Sequence, residues 1–153
     1  MNFFPKIAPW ALLFVFAVPL ASNADEPGRH PAYRHALSEL RTARWLIQHR
    51  EGDMAMQWKE DEAVGQIDGA IEDLKHAAAD DGKNLDDHQP VDAPQELRGR
   101  LRNAHELLEG ARSDISGVED DPVARQSRNH AFEHVEHALR EVERARKEIE
   151  EHR

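Results

Sequence analysis

The chain has 153 residues, with 30 acidic against 20 basic side chains and no cysteine. A net charge of −10 repels nucleic acid and anionic lipid and favours cations and basic partners. Without cysteine there is no disulfide, no thiolate metal site and no c-type haem attachment, so stability rests on packing alone.

The segment from Met1 to Ala24 has the order of a secretory signal peptide: Lys6 in a short leading region, an apolar run from Ile7 to Leu20, then Ala21-Ser22-Asn23-Ala24. Cleavage is expected between Ala24 and Asp25. An uncleaved anchor is the rival, but the run falls short of the roughly 20 residues that span a bilayer. Pro9 and Pro19 also interrupt it. The expected product is periplasmic or secreted, with no membrane contact after cleavage. The stretch from Asp25 to Arg153 suits one domain. Loss of Lys6 makes it one charge more acidic than the whole chain.

Four stretches of the mature chain repeat apolar residues at helical spacing, and none alternates as a strand does. The first helix is predicted from about Pro31 to His49, on Tyr33, Ala36, Leu37, Leu40, Ala43 and Ile47. Proline suits a first helical position, where its missing N–H has no partner to lose. The second runs from about Trp58 to Ala79, on Ala63, Val64, Ile67, Ala70, Ile71, Leu74 and Ala78, with Gly82 as the stop. The third starts near Pro94 and follows Leu97, Leu101, Ala104, Leu108, Ala111 and Ile115. The fourth opens with Asp121 as N-cap and Pro122 behind it, then follows Ala131, Val135, Ala138, Val142, Ala145 and Ile149. The expected fold is all-α, an up-down-up-down four-helix bundle over 25–153.

One constant offset aligns the two halves without a gap. It pairs Ala36 with Ala104, Leu40 with Leu108, Ala43-Arg44 with Ala111-Arg112, Ile47 with Ile115 and Asp53 with Asp121. At the same offset Ala63, Ala70 and Ala77 pair with Ala131, Ala138 and Ala145. This predicts a duplicated helical hairpin, 30–79 and 94–153. The connection, 80–93, is longer than the roughly 2–8 residues that a bundle link usually needs. Its five aspartates do not follow EF-hand spacing, so it reads as a solvated acidic loop.

All ten histidines lie after Ala24. His130, His134 and His137 stand at i, i+4 and i+7 on the fourth helix. At about 100° per residue from Val135 they fall near 220°, 260° and 200°, with Glu141 near 240°. That stripe of imidazoles and one carboxylate is a candidate site for copper, nickel or zinc; its plain alternative is a solvated polar face. In an up-down-up-down bundle one end would also gather His30, His35, His76, His88 and His152 with Asp80, Asp81, Asp86, Asp87 and Asp92. Neutral imidazole is the ligand form, so binding should weaken below about pH 6.

Enzyme motifs are missing. No Glu-x-x-His, His-Glu-x-x-His, Gly-rich phosphate loop or Gly-x-Ser-x-Gly elbow occurs, and the inner stripes are Ala, Leu, Ile and Val. Haem is not expected: His105 borders a seam, and Met54 and Met56 beside Trp58 suit gap-filling.

The strings His30-Pro31-Ala32-Tyr33-Arg34-His35-Ala36-Leu37 and Asp80 to Asp92 resemble an exported bacterial family of uncharacterised proteins. That resemblance covers nearly the whole mature chain and implies no particular activity. The segment His130-Ala131-Phe132-Glu133-His134-Val135-Glu136-His137 is similar to the small periplasmic metal-binding proteins with histidine-studded helices. The likeness covers about one helix and implies loading of copper or other divalent ions without catalysis. The leading expectation is a non-enzymatic periplasmic protein that sequesters or delivers divalent metal. The alternative is an acidic helical scaffold or holdase that engages a basic protein partner.

Overall fold

Four helices carry the described residues of a computed structural model, which are 31–49, 57–78 and 96–151. They are α1 Pro31–Gln48, α2 Gln57–Ala77, α3 Leu97–Ile115 and α4 Pro122–Glu151, and no strand occurs among the described residues. The local starts and stops have side-chain causes. Asp121 caps α4 as its sequence position predicts: Oδ1 accepts from the Val123 N–H at 2.6 Å and the Ala124 N–H at 3.1 Å. At the end of α1, the His49 ring donates from Nδ1 to the Trp45 carbonyl at 3.0 Å and stacks on the indole at 4.1 Å. The Asp121 bonds satisfy N–H groups that the start of α4 would otherwise leave unpaired, and the His49 ring adds a second donor to a carbonyl that already accepts the His49 backbone N–H. The expected leader, the acidic connection and Pro94 fall outside the described residues.

The predicted stripes form the core. Leu37, Leu40, Ile47, Ile67, Leu74, Leu101, Leu108, Ile115, Val135 and Val142 are all fully buried. Each contributes about 1.5–3 kcal/mol of transfer free energy. Val64, Leu97 and Ile149 are partly buried at the margin. Every aligned pair on the inner stripes is buried in both members, from Ala36 and Ala104 to Ala77 and Ala145.

Helix order around the bundle differs from the up-down-up-down expectation. Tyr33 meets Glu119, His35 meets Asp114 and Glu39 lies against Gly110, so α1 and α3 run antiparallel. Lys59 meets Glu148, whereas Asp73 lies by His134, so α2 and α4 are antiparallel too. Arg112 to Glu136 and His105 to Glu143 set α3 against α4 in the same sense. The directions are therefore up, down, down, up. α1 touches α2 and α3, α4 touches α2 and α3, and the pairs α1/α4 and α2/α3 lie across the diagonals. Both orders keep neighbours antiparallel, so helix patterning cannot separate them. The order found requires a connection that travels the length of α2, about 31 Å. A link of roughly 2–8 residues spans at most about 29 Å, which accounts for the long acidic segment.

Candidate functional site

The helix order also redistributes the predicted ligands. The beginning of α1, the end of α2, the end of α3 and the beginning of α4 share one end of the bundle. His35 and His76 are at that end, both exposed, while His30, His88 and His152 lie outside the described residues. The end of α3 supplies a partner that the expected order had placed at the opposite end: Asp114.

On α4 the four predicted ligands do not converge. His130 and His137 are exposed. His134 turns to α2, where its Nδ1 lies 2.8 Å from Gln66 Oε1 and its Nε2 3.7 Å from Asp73 Oδ2. A Cβ on Gly69 would stand 2.8 Å from that ring, so glycine makes the room it occupies. Glu141 is buried and accepts from Arg144 Nη1 at 2.6 Å. The reason is angular. Because α4 packs on two neighbours, its buried arc is centred about 40° from Val135, on the His134 side. That puts His134 and Glu141 on the flank facing α2 and leaves His130 and His137 in solvent.

Among the described residues the one group of three metal-competent side chains is His35, Glu39 and Asp114, whose ligand atoms lie within 4.8 Å of one another. His35 and Glu39 are one turn apart on α1, and Asp114 is in the last turn of α3. His35 Nδ1 is 2.5 Å from Asp114 Oδ2 and 3.7 Å from Glu39 Oε2. Gly110 receives the Glu39 carboxylate, whose carbon stands 2.8 Å from where a Cβ would be. Glu39 Oε2 is buried and has no hydrogen-bond partner. The imidazole side chain is 66% exposed, so the group opens to solvent on one side.

A buried clasp positions the two helices. Tyr33 donates its hydroxyl to Glu119 Oε2 at 2.7 Å, and Glu119 Oε1 accepts the Asp121 N–H at 3.0 Å. Arg125 Nε donates to the Glu119 carbonyl at 2.8 Å. The first turn of α1 is thereby tied to the α3–α4 turn, next to Asp114.

Two side chains of this group, His35 and Glu39, have pKa values displaced from the ordinary. The hydrogen bond to Asp114 raises the His35 pKa above its ordinary 6.5, against a smaller opposing effect of burial; the charges of Glu39 and Asp114 add to the rise. Burial raises the Glu39 pKa, with His35 opposing and Asp114 assisting. A histidine raised on folding stabilises fully below its unfolded value, and that contribution is lost as pH climbs through the folded value. A raised carboxylate on its own loses stability with rising pH in the same sense. The metal-free α1–α3 contact should thus weaken as pH rises above 6.5. Urea midpoints in chelator should fall across that window, and His35→Gln should flatten the fall. An equal slope in the variant would remove His35 as its source.

Glu39 and Asp114 are not among the ligands expected from sequence, although His35-x-x-x-Glu39 is a visible one-turn pair. Asp114 has no sequence signal, because its nearness depends on helix direction. Comparison with known proteins found no matching family model, no similar curated protein and no similar solved structure.

Proposed function

We propose that this chain is an exported, non-enzymatic protein that holds a divalent transition metal between α1 and α3, for sequestration or delivery. The observation that carries the reading is Glu39 Oε2, a buried carboxylate oxygen without a hydrogen-bond partner that faces an imidazole nitrogen and a second carboxylate. Such an oxygen is costly unless a proton or a cation sits against it. At metal–ligand bonds of about 2.1 Å, tetrahedral ligand atoms stand about 3.4 Å apart. The 3.7 Å gap from His35 to Glu39 suits that spacing. The 2.5 Å gap from His35 to Asp114 must open by about 1 Å as the ion replaces the shared proton. One imidazole, two carboxylates and a solvent-facing side suit Zn(II), Ni(II) or Cu(II) rather than a soft ion.

Export is supported by the charge, apolar run and small residues between Met1 and Ala24. Among the described residues no helix is long and apolar enough to cross a membrane. Duplication of a hairpin is supported by the matched burial of the aligned pairs, such as Leu40 with Leu108 and Ile47 with Ile115.

The test is calorimetric titration of the chain from Asp25 onward with zinc, nickel and copper. Micromolar or tighter binding of a single ion is expected, weakened at least about tenfold by His35→Ala or Asp114→Asn. A His130→Ala/His137→Ala variant should bind as the parent does. The reverse pattern would return the site to α4, and silence in every titration would leave the acidic interaction scaffold as the better account. Affinity unchanged between about pH 7.5 and about pH 5.5 would rule out imidazole ligation.

A further inference from the structure

The larger packing surfaces of this bundle lie between its hairpins: α1 packs more on α3 than on α2, and α2 and α4 pack more on each other than on the second helix of their own hairpins. Polar contacts occur within each hairpin, as in Arg44 to Asp68 and Arg112 to Glu136, but others join the two. Tyr33 to Glu119, His35 to Asp114, Lys59 to Glu148 and Gln66 to His134 all cross from one hairpin to the other. Each hairpin therefore presents an apolar face that only another hairpin of matching shape covers. Matching shape is available twice in every chain, since Ala36, Leu40, Ala43, Ile47, Ala63 and Ala70 are buried as fully as their counterparts in the second hairpin. Gln66 and His134 are themselves such counterparts and touch each other, which places an approximate twofold axis between α2 and α4.

We infer that the hairpin is a unit of exchange, and that the partner it fits is the second hairpin of another copy of this chain. The covalent link permits it. The stretch between Ala78 and Glu96 has an extended reach of about 60 Å, against about 31 Å for the length of α2. In the exchanged dimer every helix keeps the neighbours it has in the monomer. No contact is lost, and the choice between the two forms is set by concentration. The local effective concentration of a tethered hairpin is on the order of millimolar, so exchange becomes competitive as chain concentration approaches that value. Each His35–Glu39–Asp114 group would then combine two residues of one copy with Asp114 of the other, a feature that makes no demand on metal being bound.

The natural absence of cysteine gives a clean test. A Gln66→Cys chain and a His134→Cys chain are mixed, unfolded, refolded together in chelator and oxidised gently. A disulfide between the two different chains is expected at close to millimolar concentration, falling about tenfold in yield for each tenfold dilution. A Gln66→Cys chain mixed with a Glu106→Cys chain, whose cysteines lie on diagonal helices, should give no more than background. The unmodified chain supplies a second readout: light and isotope-labelled copies refolded together should give mixed-mass dimers by native mass spectrometry. Monomer alone at millimolar concentration, or cross-linking equal to the control, would overturn the inference. Because metal is withheld, that outcome is separate from any failure of zinc to bind.

Discussion

Gly110→Ala should leave the bundle folded and yet weaken zinc binding by at least about tenfold. Gly110 lies inside α3, where alanine is favoured over glycine by roughly 1 kcal/mol. The atoms in the path of a new Cβ are those of the Glu39 carboxylate, the far end of a flexible side chain. The backbone can stay while the carboxylate leaves the α1–α3 seam. Losing one of three ligands removes binding free energy, and tenfold corresponds to about 1.4 kcal/mol. Thermal unfolding of the metal-free variant should show a midpoint equal to or above that of the parent. Titration should show the weaker binding. If affinity stayed the same, Glu39 would not be a ligand, and the site would reduce to His35 and Asp114.

The second large effect is on stability. Leu40 is fully buried, one residue from Glu39 on α1. Truncating a buried leucine to alanine costs the lost transfer free energy and leaves a cavity, about 2–5 kcal/mol in total. A domain of this size is stable by about 5–15 kcal/mol, so Leu40→Ala or Leu108→Ala removes a large share. A loss near 3 kcal/mol lowers the thermal midpoint by roughly 10 °C. Val118, 96% exposed in the α3–α4 turn, is the matched control: Val118→Ala should change stability by less than about 0.5 kcal/mol. A Leu40→Ala chain that melted with the parent would mean that α1 and α3 do not pack through that stripe.

What the chain states locally, its sequence states alone. Pro31 and Asp121-Pro122 mark helix starts, and the stripe from Tyr33 to Ile47 is the buried face of α1. Those features depend on spacing along one helix and on groups a few residues apart, and both are written in residue order. The α4 stripe shows where that legibility ends. A single core reference at Val135 cannot show that a helix with two neighbours buries an arc turned toward one of them. His134 and Glu141 accordingly face α2, and His130 and His137 are left outside.

Helix order belonged to the tertiary structure. Apolar patterning is satisfied equally by either arrangement of four antiparallel neighbours, and the one hint was a connection longer than a simple turn needs. Direction then decided the candidate site: His35 and Glu39 share a turn of α1 by sequence, but Asp114, far from His35 along the chain, joins them only because α3 runs against α1. A helix repeats its own neighbours every turn, so it can be read from spacing. A contact between helices depends on which of two nearly equivalent packings the whole core adopts, and no local pattern records that choice.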